Sequence, residues 1–331
     1  DGQGRKITYA RISVTDRCNL RCRYCMPPDG ISCLPMREIL TYEEIEHLCR
    51  IFADLGIHKV KITGGEPFVR KNICHLVRRI KQIPGIDSVT LTTNGTLALQ
   101  HLEELKAIGI DGINFSLDTL KPAVFQQITG GRGLENVLIA INKAVSLQIP
   151  NIKINCVPVR DFNLSEIPDI AALAEDHPIH VRFIEMMPIG LGKDFQMISE
   201  AEICHLLKDT YGSLEPIDGI FGNGPAHYYH IPGFKGHIGF ISAMSHMFCD
   251  GCNRIRLTTD GQLKTCLFYE NGIDLKSLIR NNCSDEELRQ QAEIMVSMPG
   301  IAILSASIIL AEIGPLRDFS NRNQIGAFCG L

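Results

Sequence analysis

Two rhythms alternate along this chain. Short apolar or period-two runs fall at residues 7–14, 59–63, 88–92, 112–117, 152–157 and 181–184, and runs of this length and pattern predict strands. Between them apolar residues return every three or four positions, which predicts helices. The first helix opens on Thr41 as N-cap with Glu44 at the capping-box position, carries Ile45, Leu48, Ile51, Phe52 and Leu55 on one face, and closes at Gly56. Further helices are predicted over 72–83, 97–108, 122–128, 135–147 and 165–174. Regular alternation of strand and helix predicts an α/β fold with a parallel sheet and helices outside it. Six such units fall short of the eight of a closed (β/α)8 barrel, and function in such sheets gathers at the C-terminal ends of the strands. Residues 193–250 read less regularly, with Gly and Pro dense from 219 to 239 and a short alternating run at 228–231. They predict a connector and a small β region opening a second subdomain.

Composition narrows the class. Hydrophobic content of 45% and charged content of 21% over 331 residues describe an ordinary globular chain. A net charge of −4 argues against a general polyanion binder, so any basic site must be local. Thirteen Cys without a signal peptide point to a reducing, cytoplasmic setting, where Cys clusters mean metal or catalysis. The most apolar stretch, 301–313, is too short to span a bilayer and contains Ser305, Ser307 and Glu312.

The candidate chemistry starts at Cys18, Cys22 and Cys25, spaced C-x3-C-x2-C directly after the first strand run. Three thiolates on so short a loop suit three corners of an iron–sulfur cube and leave one iron open. A second trio, Cys249, Cys252 and Cys266, is spaced C-x2-C-x13-C and is again one ligand short of four. Zinc, with His246 as fourth ligand, is the competing reading there, and a second open cube suits the parallel with the first trio. Thr63-Gly64-Gly65-Glu66-Pro67 ends a strand run with two Gly that let backbone approach a ligand closely. Ser116 and Asp118 stand where a ribose or carboxylate is hydrogen-bonded, and Met187 is either core filler or a platform for an adenine ring. Arg11, Lys61, Lys153, Arg254 and Arg256 occupy strand-like positions, where charge is rare unless it faces a polar lumen. Five converging cations make a pocket for a highly anionic ligand such as a triphosphate, with Thr92 offering a hydroxyl.

The first Cys loop, with Tyr24 before its last Cys, resembles the cluster loop of radical S-adenosylmethionine (SAM) enzymes. Together with Ser13-Val14-Thr15-Asp16-Arg17-Cys18-Asn19 and Cys25-Met26-Pro27 it resembles the GTP 3',8-cyclase family, over residues 1 to about 290. The resemblance implies an open six-unit (β/α) partial TIM barrel over 1–192 and a smaller subdomain over 193–290. It implies two [4Fe–4S] clusters, one on each Cys trio. Tyr24, Gly65, Ser116 and Met187 would hold SAM. GTP would be held by Arg11, Lys61, Thr92, Lys153, Arg254, Ile255 and Arg256, with Arg11, Arg254 and Arg256 catalytic. Members often carry Arg at Lys61, so a bidentate contact becomes a point charge here. The implied reaction is reductive cleavage of SAM, hydrogen abstraction from ribose C3' of GTP and closure onto guanine C8. The product is 3',8-cyclo-7,8-dihydroguanosine 5'-triphosphate, in molybdenum cofactor biosynthesis. Implied partners are GTP, a low-potential electron donor, a second copy in a homodimer and a downstream cyclic pyranopterin synthase, with no membrane and no nucleic acid.

From about Gln291 the text changes. Ser297-Met298-Pro299-Gly300-Ile301 and Phe328-Cys329-Gly330-Leu331 resemble the helix–hairpin–helix region of Piv-type insertion-sequence transposases. The stretch 291–331 reads as a foreign tail in place of the family's Gly-Gly ending, with little basic charge and Ala302 where a second hairpin Gly is usual. The expectation is a chain that binds both clusters and SAM but makes little cyclised GTP. Two other readings compete: a radical SAM peptide-modifying enzyme, and a non-catalytic metal-containing DNA-binding protein.

Overall fold

The computed structural model of the chain describes residues 6–297 apart from Ile220, Asn223 and 268–271. The six strands expected from the sequence form in chain order as β1 (Tyr9–Ser13), β2 (Lys59–Thr63), β3 (Ser88–Thr93), β4 (Gly112–Ser116), β5 (Lys153–Cys156) and β6 (His180–Ile184). All pair in parallel with their sequence neighbours. The later strands are β7 (Glu215–Ile217), β8 (His227–His230), β9 (His237–Ile241), β10 (Arg254–Leu257), β11 (Gln262–Lys264) and β12 (Ile273–Asp274). They join the same sheet, whose order is β12-β11-β10-β1-β2-β3-β4-β5-β6-β9-β8-β7. Two of them extend the parallel array, β10 against β1 and β9 against β6. The outer strands pair antiparallel. The sheet is an open partial barrel with the later residues on both edges.

Helices cover the outside. The first is α1 (Tyr42–Asp54), and its capping box forms as expected, Thr41 Oγ1 accepting from Glu44 N at 3.1 Å and Glu44 Oε2 from Thr41 N at 2.7 Å. It is followed by α2 (Ile73–Lys81), α3 (Leu102–Ile108), α4 (Pro122–Thr129), α5 (Leu134–Ser146) and α6 (Ile167–Ala171). Helix α7 (Glu200–Tyr211) forms inside the stretch that reads irregularly in sequence; Ser199 caps it, and with only Glu200, Ile203 and Leu207 buried its apolar face is too narrow to show as a helical pattern. The short α8 (Leu275–Arg280) and α9 (Asp285–Ser297) complete the set among the described residues.

Strand alternation sorts the side chains. Ala10 and Ile12 of β1, Val60 and Ile62 of β2 and Val89 and Leu91 of β3 are fully buried in one core with Leu48 and Phe52 of α1. Each of these larger side chains, Ala10 apart, is worth about 1.5–3 kcal/mol of burial. The intervening residues Arg11, Lys61, Thr90 and Thr92 face the other way, into the lumen.

Candidate active site

The first Cys loop leaves the C-terminal end of β1 and is gripped from three sides. Gly65 N donates to Thr15 O at 2.7 Å and Glu66 N to Arg17 O at 2.8 Å. A Cβ on Gly65 would overlap the Arg17 carbonyl, so the close approach demands glycine. The buried Glu66 carboxylate accepts from Thr93 Oγ1 at 2.7 Å and Asn94 N at 2.6 Å, tying the ends of β2 and β3 together. Arg21 N and Arg23 N donate to Thr129 O and Ile128 O at 2.7 and 2.9 Å, which docks the loop on α4. Tyr24 Oη donates to Asp118 Oδ2 at 2.5 Å, while Asp118 Oδ1 accepts from Val157 N at 2.8 Å. Both Asp118 oxygens thus serve the protein framework rather than a ribose, and Ser116 is the half-buried group left at the end of β4. Within the loop, Cys25 N and Met26 N donate to Cys22 O at 2.8 and 2.9 Å. Burial, then the charges of Asp118, Cys25 and Cys18, push the Cys22 thiol up. Burial and Cys18 do the same to Cys25.

The second trio stands in a different field. Cys249 opens a 3-10 turn, Cys252 N donates to Cys249 O at 3.1 Å, and Cys252 leads directly into β10. Burial alone would raise the Cys252 thiol, but Arg254, helped by Arg256, brings it below the usual thiol value. Cys266 follows β11 and acts electrostatically on Arg256. His246, the fourth ligand a zinc reading needs, turns Nδ1 to Ser245 Oγ at 3.2 Å and Glu200 Oε2 at 3.5 Å.

Strand register assembles the cations. Arg256, Arg11 and Lys61 are partners across β10, β1 and β2, and Thr92, Asn114 and Lys153 across β3, β4 and β5. Paired residues share a face, so two rows of polar side chains line one lumen, which holds a cavity of about 130 Å³ bordered by Arg11, Lys61, Lys153, Arg182 and Arg254. Ile255 is fully buried on the opposite face, which leaves only its backbone to the lumen. Met187 is half-buried three residues past β6. Arg182 was not singled out in the sequence, although its place in a strand run carried the same signal as Lys61 and Lys153. It donates Nε and Nη2 to Asn155 Oδ1 at 2.9 and 2.6 Å, and Asn114, with its oxygen toward the cations, accepts from Lys61 Nζ at 2.5 Å and Arg182 Nη2 at 3.0 Å.

Among the described residues no carboxylate pairs with any of these six cations. Their electrostatics record the deficit. Burial and then Arg182 lower Lys153 to about 7. Burial, then Arg182, Arg11, Lys153 and Arg254, drive Lys61 well below the usual lysine value. Burial, then Arg11 and Arg254, bring Arg256 to about 9. Such a lumen is built to receive anionic charge from outside the protein.

The residues present fit the implied metal groups. The first loop offers three thiols, which sense one another's charge. A cube, whose corner irons take one thiolate each, matches that arrangement better than a four-ligand zinc cage. An open parallel (β/α) barrel with three thiols on the loop after its first strand defines a radical SAM protein.

The comparisons sharpen this. Residues 12–174 match the radical SAM superfamily model, 179–298 the Molybdenum Cofactor Synthesis C model and 292–331 that of the transposase IS116/IS110/IS902 family. The GTP 3',8-cyclase of Syntrophomonas wolfei is 48% identical over 88% of this chain and 90% of its own. That of Desulforamulus reducens is 47% identical over 87% and 90%. In fold, the chain is similar to Streptococcus suis SuiB bound to S-adenosylmethionine, with TM-score 0.56 and 16% identity over 80% of this chain and 61% of that one. The chain belongs to the GTP 3',8-cyclase family. That family consists of lyases of molybdenum cofactor biosynthesis, and its cofactors are two [4Fe–4S] clusters and SAM. The hairpin expected at Pro299-Gly300-Ile301 lies outside the described residues.

Proposed function

We propose that this chain converts GTP to 3',8-cyclo-7,8-dihydroguanosine 5'-triphosphate in the cytoplasm. The observation that carries this reading is the lumen whose cations, Arg11, Lys61, Lys153, Arg182 and Arg254 with Arg256 in register beside Arg11, meet no carboxylate partner among the described residues. Cys18, Cys22 and Cys25 hold one cluster and Cys249, Cys252 and Cys266 the other. Tyr24, Gly65, Ser116 and Met187 hold SAM, and when bound these cofactors supply the radical chemistry. The chain's own work is placement. Arg11, Lys61, Lys153, Arg254 and Arg256, with the Ile255 backbone and Thr92, fix the triphosphate so that the ribose faces the first site and the base the second. Arg11, Arg254 and Arg256 present their guanidinium groups to the reacting nucleotide, and the enclosed lumen excludes water.

Residues 1–192 and 193–290 serve as the SAM-binding and second-cluster units, a division close to where the two family models meet, between 174 and 179. A homodimer and a downstream cyclic pyranopterin synthase belong to the same reading. Residues 292–331 match a transposase family instead, and exchanging them for a relative's own ending raises product yield on this reading.

The test is anaerobic reconstitution with dithionite, SAM and GTP. Formation of 5'-deoxyadenosine together with cyclised nucleotide is expected. SAM cleavage indifferent to GTP, with no cyclised nucleotide even after the exchange of 292–331, overturns the reading.

A further inference from the structure

Four of the five residues 242–246, which run from the end of β9 toward the second Cys trio, are tied to two buried carboxylates. Glu185, the first residue after β6, accepts from Met244 N and Ser245 N at 2.9 Å each, and from Ser245 Oγ. It also receives Glu200 N, at the first turn of α7, at 3.4 Å. Glu200 in turn accepts from Ser242 Oγ, from His227 Nε2 at 2.6 Å, from Tyr229 Oη at 3.4 Å and faces His246 Nδ1 at 3.5 Å. Both carboxylates are almost fully buried, at 4% and 6% exposure. Two buried acids among hydroxyl and backbone donors are costly unless their partners are fixed, so this geometry resists sliding of the segment.

The placement gives the network a use. Glu185 N donates to Ile241 O at 3.1 Å, locking the ends of β6 and β9. Met186 and Met187 follow Glu185 on one side, and Phe248 and Cys249 follow the tethered segment on the other. Phe248 packs under the Arg254 guanidinium at 5.2 Å. One carboxylate thus connects the strand end next to Met187 with the loop that feeds the second trio.

We propose that Glu185, backed by Glu200, is a positioning residue that fixes the second cluster's loop relative to the SAM side of the lumen. This rests on the assignment of Cys249, Cys252 and Cys266 to the second cluster. Outer carboxylates of metal sites act in this way, at 10–100-fold in affinity or activity. Here the carboxylate acts through the backbone of the metal-bearing loop rather than through a ligand side chain.

The experiment uses the full chain with Glu185→Gln, which keeps shape but sets an amide N–H against backbone N–H donors, and Ser245→Ala, which removes one donor and leaves Glu185 in place. Hydrogen exchange at residues 242–249 is measured on the metal-free chain. Electron paramagnetic resonance of both clusters, with and without GTP, is measured on the reconstituted chain. Expected for Glu185→Gln are faster exchange confined to 242–249, a shifted second-cluster signal that no longer responds to GTP, and roughly a 10–100-fold loss of cyclised product. The first-cluster signal and SAM cleavage should stay unchanged, and Ser245→Ala should move the same readouts less. Native exchange at 242–249 with an unshifted second-cluster signal overturns the proposal, as does equal loss of both clusters. Cys249→Ala keeps the two readings apart. If it removes no iron, the second-cluster assignment fails, while the exchange measurement still judges the tether.

Discussion

The two Cys trios sit on the same sheet in opposite electrostatic surroundings. At the first, burial pushes all three thiols up, with Glu66 adding to the effect at Cys18 and Asp118 at Cys22. The second abuts Arg254 and Arg256, and the Cys252 thiol is brought down. The first loop is anchored to strand ends by Gly65 and Glu66 and to α4, without a lumen cation in its hydrogen-bond network. The second shares its arginines with the lumen. On the proposed assignment, substrate charge would be felt at the second trio through Arg254 and Arg256, whereas the first loop has no lumen cation among its hydrogen-bond partners. A site that must cleave SAM needs a rigid loop, whereas one that meets the substrate gains from sharing its charges with it.

The sharpest way to break the comparison is at the thiols. Cys22→Ala should abolish 5'-deoxyadenosine formation and remove about half the iron, since one of two four-iron groups is lost. Cys252→Ala should remove a similar share of iron yet leave SAM cleavage measurable while cyclised product vanishes. Loss of all cleavage in Cys252→Ala would erase the distinction between the sites.

Next comes the backbone contact behind the first loop. Gly65→Ala forces Gly65 and Arg17 apart, and overpacking of this kind costs about 1–3 kcal/mol. Iron retention at the first trio should fall in this variant, with GTP binding unaltered, as read by iron analysis and calorimetry.

On the lumen side, Lys61→Ala should weaken GTP binding roughly 10–100-fold, the scale of one charge-assisted contact, without changing iron content. Calorimetry with the reconstituted chain measures both terms of that contrast.

The smallest effect is in pH. Lys153 titrates at about 7, held down by burial and Arg182. Below that pH it is already charged. Above it a bound triphosphate must draw a proton in, so GTP affinity should fall as pH rises from 7, by at most about tenfold per unit. Titration in two buffers of different ionisation heat reports the proton uptake. Lys153→Arg, charged throughout, should flatten the curve near neutrality.

Much of this was legible from residue order. Both trios, the Gly64-Gly65 pair and five of the six lumen cations announce themselves because thiol spacing and charge inside strand runs are local patterns. Arg182, inside the run 181–184, carries the same pattern. The readings of Asp118 as a ribose partner and of residues 193–250 as irregular changed for a different reason. Whether a carboxylate faces a ligand or Tyr24 depends on a residue far away in the chain, and whether a short weak run becomes β9 depends on a free edge at β6.

Local chemistry, then, was settled by the amino-acid sequence alone: which residues can ligate iron, which strands carry charge, where helices start. Tertiary structure decided what those residues face. Register set Arg11 beside Arg256 and Lys61, a contact between residues some 245 positions apart for the first pair. Among the described residues the folded sheet also left the lumen cations without carboxylate partners, the lining Asp111 being paired with Lys81, and turned Glu185 and Glu200 onto the segment that leads to the second trio. The physical reason is that period-two alternation tells which side of a strand a residue occupies, while only pairing between distant strands tells what else is there.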